Sequence, residues 1–194
     1  MNVETGISWM KKFNEKIQSE KEYLTQLDTP IGDSDHGNNM SRGMGHVMEA
    51  IETTPPESFE ALLKLITTNL LSKVGGASGP LYGSAFMGML KAYQTGDASW
   101  ADLFQGGLDS IQKRGKAEVG DKTMIDVWKP VINALNNQTF SHAVIDEAIE
   151  ATKDLKAKKG RASYVGERSI GHIDPGAYSS GLLFHALLEA GVEL

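Results

Sequence analysis

The feature that most limits how this chain can fold is the spacing of its apolar residues, which follow a helical repeat almost from end to end. Eight such stripes are present, beginning near Ile7, Asn39, Phe59, Leu81, Trp100, Met124, Ala143 and Ser180. Thr5 is the predicted N-cap of the first helix. Alternating apolar and polar runs bounded by turn signals, typical of β-strands, are not found. We therefore predict an all-α fold of about eight packed amphipathic helices.

The composition indicates a soluble single domain spanning residues 1–194. Hydrophobic residues make up 40% of the chain, enough for one sizeable core, and no linker or repeat interrupts it. The net charge of −6 argues against nucleic acid or an anionic membrane as the main partner. The absence of cysteine excludes disulfides and thiolate metal sites. Neither a signal peptide nor an apolar run of about 20 residues is found, so we expect a cytoplasmic protein.

Four segments dense in glycine and small polar residues lie between the predicted helices, at 27–39, 73–83, 114–124 and 158–181. They alternate with plainer connections such as TTPPES and TGDAS. In an antiparallel bundle this alternation would bring all four segments to one end. Since function is often carried on loops held by a rigid scaffold, we expect the functional site at that end.

The first segment places three carboxylates, Asp28, Asp33 and Asp35, within eight residues. Converging like charges repel, and Mg²⁺, which prefers carboxylate oxygen and bridges to phosphate, would relieve the repulsion. The alternative is that Asp28 and Asp33 merely cap turns or helix starts. A calcium EF-hand is a poor fit, because its expected glycine and glutamate positions hold Asn38 and Met44.

Two of the segments lead into helices with sequences suited to anions. His36 and the residues after it open one helix, and the run Gly75–Pro80, which includes Ser78, precedes another. Free amides at helix N-termini attract anions. The alternatives are a structural role for His36 and an ordinary turn at Gly75–Pro80. A Walker P-loop and a Rossmann fingerprint are both absent, so a nucleotide would have to bind at a different kind of site.

The other two segments carry charge. The third mixes both signs around Lys116, Asp121 and Lys122, and its alternative interpretation is a solvated face with a glycine C-cap at Gly115. The fourth holds Arg161 and Arg168, whose guanidinium groups suit phosphate oxygens, although surface salt bridges would explain them equally well. Metal ligands, phosphate-binding helix starts and compensating cations are together the parts that phosphoryl transfer needs.

The motifs GDSDHGNN, GGASGPLYG, GKAEVGDKTM and GRASYVGERSIGHIDPGA resemble the signature loops of the L subunits of dihydroxyacetone kinases. The same unit forms the nucleotide-binding domain of single-chain, ATP-dependent dihydroxyacetone kinases. The resemblance spans essentially the whole chain. It implies an eight-helix antiparallel barrel that binds ADP or ATP at one end. One departure is Ser34, which stands where the family usually has glycine and puts the metal geometry in question.

The resemblance also implies roles for individual residues. Two Mg²⁺ ions would be held by Asp28, Asp33 and Asp35. The phosphates would be held by His36, Gly37, Asn38, Asn39, Ala77 and Ser78. The nucleoside would lie along Gly115 and Met124, and the site would be closed by Arg161, Asp174, Pro175 and Gly176. Arg161 is the candidate cation for charge compensation during transfer.

The activity implied for such subunits is transfer from bound ATP to dihydroxyacetone on a partner K subunit. A phosphohistidine protein of the sugar phosphotransferase system would rephosphorylate the bound ADP. The phosphoryl group would then be carried as ATP rather than on His36 or His172. Alternatives are a kinase subunit that exchanges free nucleotide, a nucleotide-dependent partner of a transcription factor, and a related kinase whose substrate lies on another partner.

Overall fold

The computed structural model describes residues 1–192, and all regular secondary structure in that range is helical. The α-helices are α1 (Val3–Ser19), α2 (Lys21–Asp28), α3 (His36–Thr53), α4 (Phe59–Lys73), α5 (Ser78–Tyr93), α6 (Trp100–Gly115), α7 (Ile125–Asn136), α8 (His142–Ala151) and α9 (Pro175–Glu189). Short 3₁₀ turns cover Thr152–Asp154 and Arg161–Ser169. The predicted all-α class is confirmed. Over the same residues, no helix is long and apolar enough to cross a membrane.

Eight of the helices form a closed ring. α1 packs against α3, each later helix from α3 to α8 packs against the next, and α9 packs against both α8 and α1. α2 lies outside the ring against α3 and α9. This helix was not predicted, because its eight residues contain Leu24 as their one buried apolar side chain. The arrangement is therefore the expected eight-helix barrel with one additional short helix.

Side-chain caps fix where several helices begin. Asn2, not the predicted Thr5, is the N-cap of α1, and its side chain accepts a hydrogen bond from the Thr5 amide at 2.8 Å. Ser99 and Asp102 form a capping box at the start of α6. Asp174 caps α9 by accepting from the Ala177 amide at 2.8 Å. Each cap satisfies a donor that the first turn of a helix leaves unpaired.

The centre of the ring is filled by aromatic side chains. Trp9 meets Trp100 edge to face at a centroid distance of 5.7 Å, and Trp128 meets Phe184 in the same way at 5.3 Å. The buried indole nitrogens are satisfied: Trp9 Nε1 donates to the Leu183 carbonyl at 2.9 Å, and Trp128 Nε1 donates to a serine hydroxyl on α9. The interior is thus a packed core, and ligand space lies at an end of the barrel.

The four glycine-rich segments are the α2–α3, α4–α5, α6–α7 and α8–α9 connections, which lie at the same end of the ring. They are shorter than the sequence suggested, because α3, α5 and α9 begin inside them. The last segment also contains the 3₁₀ turn Arg161–Ser169. Each segment therefore presents a helix N-terminus or a tight turn at this end of the barrel.

Candidate functional site

One cavity of about 140 Å³ opens at this end, and all four glycine-rich segments line it. The predicted site residues that line it are Asp28, Asp33, Asp35, His36, Ala77, Ser78, Met124, Arg161, Asp174, Pro175 and Gly176. The remaining predicted residues do not line it: these are Gly37, Asn38, Asn39 and Gly115. Segments distant in sequence are therefore brought together as the alternation of loops predicted.

Gly37 and Gly115 have structural surroundings that account for glycine. A Cβ on Gly37 would overlap the Lys21 carbonyl, so this glycine lets α3 approach α2. A Cβ on Gly115 would lie 3.4 Å from Leu81, whose side chain lines the cavity. The C-cap of α6 is Lys116, with φ 52°, one residue after the glycine that the sequence suggested. Gly115 thus lies behind the cavity wall rather than on it.

The three aspartates converge. One carboxylate oxygen from each of Asp28, Asp33 and Asp35 lies within 4.8 Å of the others. Asp28, which is 7% exposed, accepts from the amides of Asp35 at 2.9 Å and His36 at 3.2 Å. The capping role considered for Asp28 is therefore real, and it is what holds the start of α3 against the end of α2. The Asp28 carboxylate therefore accepts hydrogen bonds at the start of α3 and also lies close to the carboxylates of Asp33 and Asp35.

The electrostatics of this cluster favour a cation. The pKa of Asp33 is raised by partial loss of hydration and by the neighbouring carboxylates of Asp35 and Asp28. Arg161 opposes that shift, since its Nη2 lies 2.8 Å from Asp33 Oδ2. Three convergent carboxylate oxygens are the donor set that Mg²⁺ prefers. The residues present therefore fit the predicted magnesium site.

The turn between α2 and α3 depends on backbone geometry at two positions. The Gly32 amide donates to the Asp28 carbonyl at 2.6 Å, and a Cβ on Gly32 would overlap the Asp28 carboxylate. Ser34 has φ 61°, in the left-handed region, which explains why glycine is usual there in the family it resembles. Its hydroxyl donates to Thr29 Oγ1 at 3.0 Å. Serine therefore occupies the left-handed position while the three carboxylates still converge.

Replacing Gly32 by alanine should cut the affinity for Mg²⁺ and ADP, because the new methyl group displaces the Asp28 carboxylate. We expect a loss of at least about 10-fold, measured by titration calorimetry. Gly45→Ala is the matched control, since a Cβ there meets nothing within 4 Å. That control should bind normally and gain a few tenths of a kcal/mol to about 1 kcal/mol of helix stability. Equal affinities in the two variants would contradict the turn's role.

His36 is buried, and both of its ring nitrogens are engaged by serine hydroxyls. Nδ1 lies 3.0 Å from Ser78 Oγ and Nε2 lies 2.9 Å from Ser179 Oγ. Burial lowers the pKa of His36 to about 4, with Asp35 acting in the opposite direction, so the imidazole is neutral at pH 7. The ring therefore links α3 to α5 and α9, as the structural alternative for this residue supposed. Neither nitrogen is free to ligate metal or accept a phosphoryl group in this arrangement.

The buried side-chain amide of Asn39 lies beside Gly76. Among the described residues, Asn39 Nδ2 is a buried side-chain donor without a hydrogen-bond partner. Gly76 has φ 67°, and a Cβ there would lie 2.7 Å from this nitrogen and 3.5 Å from Asp35 Oδ2. Glycine thus avoids crowding an unpaired amide that lies near a candidate metal ligand. A buried donor without a partner points to a ligand, and the phosphate predicted for the nucleotide would be an acceptor for it.

Lys122 was assigned to a solvated face as the alternative interpretation, and that interpretation is wrong for this residue. It is 1% exposed, and its ammonium group donates to the carbonyls of Thr152 at 2.6 Å and His172. Burial lowers its pKa, while Asp174 and other nearby acids oppose the shift. The lysine therefore joins the third glycine-rich segment to the fourth. Helical periodicity carries no signal for such a contact, because the acceptors are main-chain carbonyls.

Asp174 lies across the cavity from the acidic cluster and is buried. Burial raises its pKa to about 7, while the hydrogen bond from the Ala177 amide and the charge of Lys122 lower it. Its own amide donates to Thr152 Oγ1 at 3.1 Å. Pro175 follows at the first position of α9, where its missing N–H leaves no unpaired donor. The closing side of the cavity is therefore a rigid helix start.

The chain matches a known protein family over most of its length. The DAK2 domain family matches residues 30–189. The ADP-binding subunit of the PTS-dependent dihydroxyacetone kinase of Lactococcus lactis is 53% identical over 190 residues, covering 97% of this chain and 98% of that protein. The ADP-binding subunit of the PEP-dependent dihydroxyacetone kinase of Escherichia coli is 41% identical over 202 residues, covering 96% of each. Relatives of this kind extend over the full barrel.

Solved structures show the same fold. The crystal structure of the dihydroxyacetone kinase of C. freundii matches with a TM-score of 0.77 at 25% identity, covering 96% of this chain and 34% of that one. The C. freundii kinase in complex with AMP-PNP and Mg²⁺ matches with a TM-score of 0.76 at 25% identity, covering 95% and 33%. This chain therefore spans about a third of those kinase chains. From its sequence, its barrel and the relatives that share both, the chain belongs to the DAK2 domain family.

Proposed function

We propose that this chain is the nucleotide-binding subunit of a dihydroxyacetone kinase. It holds ADP or ATP through Mg²⁺ and passes the terminal phosphoryl group to dihydroxyacetone on a partner subunit. The observation that carries the proposal is the meeting of three carboxylates and Arg161 around one cavity, with the unpaired amide of Asn39 beside Gly76 in its wall. Its relatives, which are named as ADP-binding subunits of dihydroxyacetone kinases, indicate the substrate class.

The position of each residue determines which part of the metal–nucleotide complex it binds. Asp28, Asp33 and Asp35 hold the metal, which neutralises phosphate charge when bound. The N-termini of α3 and α5 supply amides to the phosphates, with the side chains of Asn38, Asn39 and Ser78 and the backbone of Ala77 beside them. Met124 lies toward the nucleoside, and Gly115 lies behind the part of the wall that Leu81 forms. The start of α9, at Asp174, Pro175 and Gly176, closes the remaining side.

Arg161 provides an exposed positive charge at the cavity. Its guanidinium group is largely exposed and is paired with Asp33 at 2.8 Å. A metal ion held by Asp33 would compete with this pairing, which would leave the Arg161 guanidinium available to a phosphate oxygen. Phosphoryl transfer depends mainly on positioning and charge compensation, so no covalent enzyme intermediate is required. Arg161 is accordingly the residue that stabilises charge in the transferring group.

The nucleotide stays bound in this proposal and acts as a carrier. A phosphohistidine protein of the phosphotransferase system converts bound ADP to ATP, in keeping with the PTS-dependent and PEP-dependent names of the relatives. The engaged nitrogens of His36 support a carrier in which the phosphoryl group rests on nucleotide and not on the protein. A subunit that exchanges free nucleotide, or that regulates a transcription factor, remains the alternative.

The carrier proposal predicts where a labelled phosphoryl group is found. The chain is loaded with Mg²⁺ and ADP, dialysed extensively, incubated with a labelled phosphohistidine donor and then denatured. We expect the label to be released as ATP, because both ring nitrogens of His36, the histidine that lines the cavity, are engaged by serine hydroxyls. Label covalently fixed on a histidine would refute the carrier and support a phosphohistidine relay. Loss of ADP during dialysis would instead favour the subunit that exchanges nucleotide.

A further inference from the structure

The side-chain amide of Asn39 is unpaired at its nitrogen, and its surroundings must determine which way it is oriented. Nearly all buried polar groups in proteins have a hydrogen-bond partner, so a buried donor without one points to a ligand or to a specific constraint. Asn39 is 5% exposed, and its Nδ2 is unpaired among the described residues. Rotating the amide by half a turn would exchange the nitrogen for the oxygen at this position. Some neighbouring group must therefore select the observed orientation.

Arg42 is the group that selects it. Its Nη2 donates to Asn39 Oδ1 at 2.7 Å, from one turn further along α3. A guanidinium group can only donate, so it binds the amide oxygen and rejects the amide nitrogen. With the oxygen turned toward Arg42, the nitrogen must face the opposite way, toward Gly76 and Asp35.

The backbone of the α4–α5 connection is shaped around this pair. A Cβ on Gly75 would lie 2.8 Å from Arg42 Nη2 and 3.0 Å from Asn39 Oδ1. Gly75 therefore admits the Arg42–Asn39 pair, and Gly76 next to it avoids a Cβ that would crowd the amide nitrogen. Arg42 itself does not line the cavity, whereas Gly76 does. Arg42 therefore lies outside the cavity lining.

We propose that Arg42 is a positioning residue for the nucleotide phosphates. It holds the Asn39 amide so that Nδ2 donates to an oxygen of the phosphate bound beside Asp35 and Gly76. The inference rests on the proposed nucleotide function and adds a residue to that site. It assigns Arg42 no direct contact with the ligand.

A double-mutant cycle on Arg42 and Asn39 separates positioning from direct binding. The affinity for ADP in the presence of Mg²⁺ is measured by calorimetry for the native chain, Arg42→Ala, Asn39→Ala and the double variant. We expect Arg42→Ala to lose about 10-fold, the range typical of residues that orient a ligand-binding group. In the Asn39→Ala background the same change should have no further effect. Arg42→Lys, which keeps one donor, should recover part of the affinity.

Two further measurements exclude a general structural effect. Lys73→Ala removes the same charge from an exposed position beside the same connection and should leave the affinity unchanged. Nitrogen-15 NMR should show the Asn39 side-chain amide shifting when Mg²⁺ and ADP are added to the native chain. In Arg42→Ala that shift should be lost while the melting temperature stays close to native.

The possible outcomes are distinct. If the native chain fails to bind ADP with Mg²⁺, the proposed function is overturned, and this inference with it. Binding by the native chain and equally by Arg42→Ala would overturn only the role of Arg42. Additive losses in the cycle would show that Arg42 contacts the ligand itself, which also overturns positioning.

Discussion

Asp33→Asn should abolish Mg²⁺-dependent binding of ADP, with an expected loss of affinity of more than about 100-fold. The substitution removes one of three converging charges and almost no volume. Asp33 is the best of the three for this test, because Asp28 also holds the start of α3 through two amides. Asp33 is partly exposed, and its partner is the side chain of Arg161. Calorimetry with and without a chelator measures the effect.

Asp109→Asn is the matched control for this variant. Asp109 lies exposed on α6, where it accepts from Gln105 at 2.6 Å, so the same chemical change there should leave binding intact. Both variants should melt near the native temperature without ligand. Saturating Mg²⁺ and ADP should then stabilise the control but not Asp33→Asn, by about 2.7 kcal/mol at 100 times Kd. Unchanged ADP affinity in Asp33→Asn would exclude the acidic cluster as the metal site.

Lys122→Met should be the most destabilising single substitution at this end of the barrel. It removes the donor shared by the carbonyls of Thr152 and His172 and leaves them buried without it. It also removes the positive charge nearest to Asp174. Losing one side of a buried charged interaction costs about 3 kcal/mol, which lowers the melting temperature by about 6–12 °C in a chain of this size. Thermal unfolding followed by circular dichroism measures it.

The control for this variant is Lys113→Met, an identical change on the exposed side of α6. It should shift the melting temperature by no more than about 1–2 °C. Lys122 has φ 60°, and methionine would keep the same backbone strain, so the difference between the variants reports the ammonium group alone. A melting temperature for Lys122→Met equal to that of the control would mean that the carbonyls find other donors.

The barrel could be predicted from the sequence because each of its helices must bury an apolar stripe. α2 could not, since Leu24 alone makes no stripe. The resemblance to dihydroxyacetone kinase subunits was confirmed by relatives that include one at 53% identity. The place of the cavity followed from the alternation of loops. The roles of individual residues in binding metal, phosphate and nucleoside remain predictions.

The contacts that organise the site were harder to foresee, for a physical reason. Lys122 donates to main-chain carbonyls. Every residue has such a carbonyl, so the sequence does not show which ones the lysine contacts. His36 is neutralised by burial between two serines from α5 and α9, and Arg42 acts through the orientation of one amide. Each depends on which segments meet in space. Motifs identified the segments, but only the packed barrel shows how they touch.

The closure of the ring by α1 against α9 sets when the protein can first become competent during its synthesis. Trp9 and Leu183, joined across that seam, are 174 residues apart. Contacts over such separations form late, because the entropy of closing the intervening chain must be overcome. A chain emerging from the ribosome holds Asp28 long before Asp174 exists. A nucleotide site that needs both sides of the cavity is therefore expected to form only after α9 has been synthesised.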